Sequence, residues 1–169
     1  ITSGGHLARL LYAALKDVHD VRVLRRRPDP AFGASCVVGD VARLDDVVRA
    51  MEGCDRVIHK AVRNNTDVEL RSYEEFHGAN VDGTFHVFLA AQRLGTPRVI
   101  HSSTSMVLPF HVIHESMRPG EGAATRIGDD TPRRGTDIYG LTKLVGEMYS
   151  DFYRHRYSKS INSLRYCLL

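Results

Sequence analysis

Cysteine is scarce in this 169-residue chain: Cys36, Cys54 and Cys167 lie far apart and are odd in number. No Cys-x-x-Cys spacing could hold zinc or form a redox pair, and no disulfide framework can be drawn. Idle thiols in a reducing cytoplasm are the expectation. Long apolar runs are missing too. None approaches the roughly 20 residues needed to cross a bilayer, and no stretch has the layout of a signal peptide. Neither a membrane partner nor a bound metal is expected. Charge of one sign is not in excess: a net charge of +3 is too small to imply nucleic acid. Nine histidines add charge only at acidic pH. Repeats and low-complexity tracts are absent.

What is present is an ordinary globular composition, with 43% hydrophobic and 25% charged residues. The length suffices for one domain with a substantial core. The chain opens at Ile1 without a methionine and closes at Leu168-Leu169 in apolar sequence. Both ends read as cut, so the expectation is a piece of a longer protein.

Short apolar runs alternate with helical periodicity. A Gly-Gly turn precedes a helix from Leu7 to Leu15. Val21 to Leu24 and Cys36 to Val38 read as strands, Leu44 to Met51 as a helix, and Arg56 to His59 as a strand. A long helix from Tyr73 to Leu94 stops at Gly95. Arg98 to His101 is a strand running into Ser102-Ser103-Thr104-Ser105. A Gly- and Pro-rich stretch from about Pro109 to Gly135 reads as loop. A second long helix from Ile138 to Tyr157 and a strand from Ile161 to Arg165 complete the pattern. Such alternation predicts an α/β fold, a doubly wound parallel sheet with helices on both faces. Ligands of such sheets bind at the carboxyl ends of the strands, where the strand order reverses.

The first of those ends is Ile1-Thr2-Ser3-Gly4-Gly5-His6-Leu7-Ala8. Gly4 and Gly5 would let the backbone approach a pyrophosphate, and His6 and Leu7 open the helix whose N-terminus would bind it. Gly5 and Ala8 fit the second and third places of the usual glycine spacing, but one residue is missing near Ser3. A plain strand-to-helix turn is the competing reading. Arg25 ends the second strand, where a dinucleotide fold reads the adenosine ribose. An arginine cannot accept from a 2′-hydroxyl but can pair with a 2′-phosphate. No carboxylate stands in Leu24-Arg25-Arg26-Arg27, so NADP is favoured over NAD. The alternative is that Arg25 stacks on adenine or faces solvent. Asp40, followed by Val41, either accepts from an adenine amino group or caps the next helix.

Tyr139 and Lys143 stand four apart in Tyr139-Gly140-Leu141-Thr142-Lys143, on one face of a helix. A free tyrosine has a pKa of about 10 and is a weak base at neutral pH. A neighbouring ammonium would lower that value and make the pair a workable acid/base. The spacing alone is common by chance. Hydroxyls at the end of the strand some residues earlier, Ser102 among them, could hold the reacting oxygen of an alcohol or ketone. Alternatively, they satisfy their own backbone.

The ordered set TSGGHLA, VVGD, VIHKAV, NVDGTFHVFLAA, RVIHSSTSMV, YGLTKLVGE and INSLR resembles the extended short-chain dehydrogenase/reductase family over nearly the whole chain. The resemblance implies a Rossmann-like NAD(P)-binding domain over residues 1–165, with 166–169 starting a substrate domain largely absent from this chain. Tyr139 and Lys143 match the family's catalytic pair, and Lys143 would also hold the nicotinamide ribose. Thr104 matches its catalytic Ser/Thr, with Ser103 as the alternative. Lys60, Ala61 and Val62 match its strand-four loop beside the cofactor, although Lys60 stands where an apolar residue is usual. Asn80 matches its helix asparagine, in a cofactor-side or a purely structural role. Two departures matter. The glycine turn is irregular, and Ser105-Met106 stand where sugar dehydratases carry Asp-Glu, which argues against dehydration. The run Asp130-Thr131-Pro132-Arg133-Arg134 resembles that of sugar-acting members, uronate dehydrogenases among them. The implied activity is hydride transfer with NADP or NAD, to or from a hydroxyl or keto group of a sugar or nucleotide-sugar. Dehydrogenase, reductase and epimerase stay open. The competing reading is a non-catalytic NAD(P)-binding regulator or degenerate member, against which the Tyr-Lys pair argues. A homodimer through the two long helices is the family expectation.

Overall fold

The computed structural model describes residues 1–3, 5–63, 73–109, 128 and 130–166. Gly4 and Cys167, and most of the stretch expected to be loop, lie outside them.

Five parallel strands are present: β1 (Val23–Arg25), β2 (Cys36–Val38), β3 (Arg56–His59), β4 (Arg98–Thr104) and β5 (Ser160–Tyr166). The opening segment joins them. Thr2 bridges Leu24 on one side and His59 on the other, both in parallel. Its N–H donates to Ile58 O (3.0 Å), and its carbonyl accepts from Lys60 N (3.1 Å). The order across the sheet is therefore β2, β1, residues 1–3, β3, β4, β5, reversing at Thr2. This is the Rossmann-like doubly wound arrangement. Four helical segments cross between strands: α1 (His6–Leu15), α2 (Leu44–Met51), the segment of α3 (Tyr73–Phe76) and α4 (Gly83–Arg93), and α5 (Ile138–Tyr157). Right-handed crossovers put α1 on one face and α2, α4 and α5 on the other.

The core lies under α2, α4 and α5. Val47, Val57, Val87, Phe88, Val99, Tyr153 and Ile161 are buried there together. The amphipathic pattern explains α2: Val47, Ala50 and Met51 turn inward, while Asp45 and Arg49 stay wet. Asp137 starts α5 by accepting from Gly140 N–H at 2.7 Å.

Three expected boundaries are corrected. The strand expected at Val21 to Leu24 is Val23–Arg25, because these are the residues in register with Cys36–Val38. The strand expected at Ile161 to Arg165 spans Ser160–Tyr166, paired along its length with Arg98–Thr104 of β4. The helix expected to run unbroken from Tyr73 to Leu94 widens into π geometry at His77–Asp82, where Gly83 N–H reaches back to Gly78 O.

Candidate active site

The carboxyl ends of residues 1–3, β1, β3 and β4 converge where the strand order reverses. Ser3 makes the first turn with φ +151°, a region that favours glycine. Its hydroxyl accepts from Gly5 N–H at 3.2 Å. Gly5 precedes α1 with no side-chain cap, so the helix's first N–H groups have no side-chain partner. Gly5 and His6 are exposed and Leu7 is half-buried. Ala8 is fully buried, as close packing of the helix on the sheet requires.

At the end of β1 the expectation of a site without a carboxylate is corrected. Asp29 folds back and takes Arg25 Nη1 and Arg9 Nη2 (2.6 Å) on one carboxylate oxygen. The acid is invisible locally because it lies four residues on, beyond a proline. Arg25 accordingly does not face solvent freely; its guanidinium also lies 5.7 Å from the Phe32 ring centroid. Asp40 Oδ1 accepts from Ala42 N–H (3.0 Å), the turn-capping role. The Val41 side chain is buried in the core and its carbonyl is taken by His86 Nδ1 (3.0 Å), leaving only its N–H to a ligand.

Past β3, Lys60 and Ala61 offer their N–H groups to the Thr2 hydroxyl (3.1 and 3.3 Å). The Lys60 ammonium sits 5.1 Å from the Tyr166 ring centroid, and burial lowers its pKa. Val62 is exposed. A chain of buried polar groups starts here. Thr2 Oγ1 meets His59 Nδ1 (2.7 Å), His59 Nε2 meets Thr84 Oγ1 (2.9 Å), and Thr84 donates to Asn80 O (2.5 Å). Asn80 is saturated. Its Oδ1 accepts from Arg63 N–H (2.7 Å), and its Nδ2 donates to Arg63 O (3.1 Å) and Thr142 Oγ1 (3.0 Å). No side-chain N–H of Asn80 is left over, and the residue ties the strand-three loop to α5, in keeping with the structural alternative. The π turn sets the phase at which Asn80 reaches both.

The catalytic candidates meet at the end of β4. Gly140 lets α5 press against the turn after Thr104; a Cβ there would lie 2.3 Å from Met106 O. The Tyr139 phenol is half-buried near the Thr104 side chain, which holds back the rise in its pKa. Thr104 Oγ1 accepts from Met106 N–H (3.3 Å), so it partly satisfies its own backbone. Lys143 is buried and donates to Ser102 O at 2.7 Å. The expected pairing of charge is corrected. Burial raises the Tyr139 pKa, Thr104 opposes that rise, and Asp137 adds to it, while Lys143 makes no contribution. Lys143 itself falls to about 7, through burial and then the charge of Lys60. Its ammonium is committed to a strand carbonyl rather than to the phenol. The Ser102 hydroxyl is buried with no partner among the described residues.

Residues 3–169 match the model of the NAD dependent epimerase/dehydratase family. The chain belongs to this family. It is 30% identical over 165 residues to the L-arabinose 1-dehydrogenase (NAD(P)(+)) of Haloferax volcanii, covering 96% of this chain and 63% of that protein. Against the uronate dehydrogenase of Pseudomonas syringae pv. tomato it is 38% identical over 128 residues, 76% of this chain and 42% of that one. A short-chain dehydrogenase/reductase superfamily protein from Agrobacterium tumefaciens, solved with bound NAD, superposes with a TM-score of 0.82 at 26% identity, covering 97% of this chain and 47% of that one. The chain thus spans roughly half the length of the relatives it matches.

A further buried cluster lies behind these residues. In this epimerase/dehydratase-family chain Glu147 is buried one turn beyond Lys143. It accepts from Ser103 Oγ (2.6 Å), from Arg133 (3.2 Å) and from Arg165 through two nitrogens (3.0 Å each). Burial would raise its pKa, but hydrogen bonds from Arg165 and Ser103 outweigh that and hold it below the usual value. The cluster ties β4, β5, α5 and the segment before α5 together behind the catalytic candidates. The Ser103 hydroxyl is thereby engaged with Glu147. The spacing Lys143-x-x-x-Glu147 was the available signal: a further residue on the inward face of the same helix.

Proposed function

We propose that this chain is the cofactor-binding part of an NAD(P)-dependent oxidoreductase or epimerase. It would move a hydride to or from a hydroxyl or keto group of a sugar or nucleotide-sugar. The observation that carries the reading is the gathering of Tyr139, Thr104 and Lys143 at the end of β4, with Lys143 buried and donating to Ser102 O. Two buried polar atoms without partners among the described residues, Arg25 Nε and Ser102 Oγ, stand at the carboxyl ends of β1 and β4. The uncapped start of α1 lies between those strand ends. Donors so placed fit a dinucleotide laid across the strand ends. A bound nicotinamide supplies the hydride acceptor or donor. Thr104 holds the reacting oxygen, and Tyr139 takes or returns its proton. Lys143, held by Ser102 O behind them, would anchor the nicotinamide ribose. His6 and Leu7 would offer backbone N–H groups to the pyrophosphate, and Gly5, whose own N–H is taken by Ser3 Oγ, would let the backbone approach it. Asp40 and Val41 flank the adenine, and Lys60, Ala61 and Val62 border the cofactor. Arg25 taken alone would favour NADP, but its pairing with Asp29 offsets that, and the relatives' names and the NAD-bound neighbour keep both coenzymes in play. Ser105 and Met106 carry no acid for dehydration.

The sugar class rests on the relatives named for L-arabinose and uronate. Residues 1–165 form the cofactor domain, and 166–169 lead toward a substrate domain. Phe85, Met148 and Phe152 are exposed apolar side chains on α4 and α5, which supports a homodimer through these helices. No helix among the described residues is long and apolar enough to cross a membrane. Cys36 and Cys54 are free thiols, in keeping with a cytoplasmic location.

Tyr139→Phe tests the reading. Steady-state kcat should fall by about 100-fold or more, with coenzyme affinity unchanged by fluorescence titration. Intact turnover in that variant would overturn the mechanism.

A further inference from the structure

Asp29 stands between Pro28 and Pro30. A residue before proline is driven into extended backbone, and Asp29 has φ −145° and ψ 115°. From there its Oδ1 accepts from Ala31 N–H (3.0 Å) and starts the 3-10 turn Pro30–Ser35. The other oxygen turns back toward the sheet and takes Arg25 and Arg9 together. Both guanidinium carbons lie 5.7 Å from the centroid of Phe32, which is itself buried. Tyr12 meets that ring edge-on at 5.1 Å. The carboxylate, with 11% of its side chain accessible, is thus built into the turn.

The geometry assigns to Asp29 the choice between the two coenzymes: its carboxylate occupies guanidinium donors of Arg25 and Arg9 that a ribose 2′-phosphate would otherwise take. This rests on the dinucleotide reading given above. Arg25 ends β1, the strand end that reads the adenosine ribose in a sheet of this order. Two guanidinium groups with one carboxylate leave a single net positive charge. A 2′-phosphate binds arginine strongly through charge-assisted hydrogen bonds, but here it must compete with a carboxylate already in place. A 2′-hydroxyl needs no such displacement. The wild-type subsite therefore accepts both coenzymes without strong preference. Replacing the carboxylate by an amide leaves both cations unpaired and turns the subsite toward NADP.

The test is fluorescence titration of the purified protein with NADH and NADPH, for wild type and Asp29→Asn. Asparagine keeps an oxygen for Ala31 N–H, so the turn is retained. The NADPH Kd should fall about tenfold or more, the gain of one charge-assisted contact, and the NADH Kd should move by less than about threefold. Adding Arg25→Met should remove the gain. Asp29→Ser, which can cap the turn but not reach the arginines, should act in the same direction and guards against a folding defect in Asp29→Asn. If both Kd values shift together, or neither shifts, while wild type binds normally, the assignment to Asp29 is overturned alone. If wild type binds neither coenzyme, the dinucleotide reading fails and takes this inference with it.

Discussion

Ser3 carries the least comfortable backbone among the described residues. A φ of +151° suits glycine, and a side chain there costs roughly 1–3 kcal/mol. Ser3→Gly should therefore raise the thermal midpoint, by an amount corresponding to about 1 kcal/mol once the entropy of glycine in the unfolded chain is subtracted. A lowered midpoint would mean that the Ser3 hydroxyl bond to Gly5 matters more than the strain. At Tyr139 the lesson concerns charge. A phenol and an ammonium four residues apart share a helix face, yet Lys143 bonds to Ser102 O, and burial raises the phenol. Spacing brought the two groups to one region; the choice of hydrogen-bond acceptor decided that they are not paired here.

Elements meet where glycine removes a side chain. Gly146 on α5 faces His101 of β4, and a Cβ there would lie 2.7 Å from the ring's Cε1. That ring is fully buried, stacks 5.9 Å from His59, and meets Phe88 edge-on, so it has no room to retreat. Gly146→Ala should destabilise by about 1–3 kcal/mol through overpacking, read from urea unfolding. A neutral outcome would show that α5 can shift from the sheet. The π turn is a similar contact between elements. It lets Asn80 join the strand-three loop to Thr142, whose hydroxyl bonds to Tyr139 O at 2.8 Å. A polar chain thus links Thr2, beside the phosphate turn, to the backbone of the catalytic candidate.

The whole molecule buries two histidines side by side in its sheet. Burial, then the Lys143 charge, lowers His59 from 6.5 to about 3, and His101 moves the same way for the same leading reason. Both are neutral in the fold, whereas the unfolded chain protonates them near pH 6.5. The unfolded state binds more protons between those values, so stability is fully present above pH 6.5 and is lost as pH falls toward 3. Urea midpoints measured across that window should drop steadily. Thr84→Val would leave His59 buried with one partner fewer; it should lower stability at neutral pH while keeping the acid slope. A flat profile between pH 6.5 and 4 would show that the histidines are not neutral in the fold.

Periodicity and turn residues were enough for the doubly wound sheet. Cys36–Val38, Leu44–Met51, Arg56–His59 and Ile138–Tyr157 fold with the bounds their local patterns suggest, because hydrophobic period and caps are properties of neighbouring residues. Tyr139 and Lys143 share one helix face, as their spacing suggests, whereas Thr104 was singled out only by the family resemblance. Three things were not legible. Asp29 reaches Arg25 only through the turn that two prolines impose. Asn80 is used up by Arg63 and Thr142, which are distant in sequence. Glu147 gathers Ser103, Arg133 and Arg165 from three separate segments. Each depends on which polar groups share a dry interior, where an unpaired donor or charge is costly and partners are taken wherever the chain brings them. Sequence determined most of the elements; tertiary structure decided who is paired with whom, because that is settled by burial and distance rather than by order along the chain.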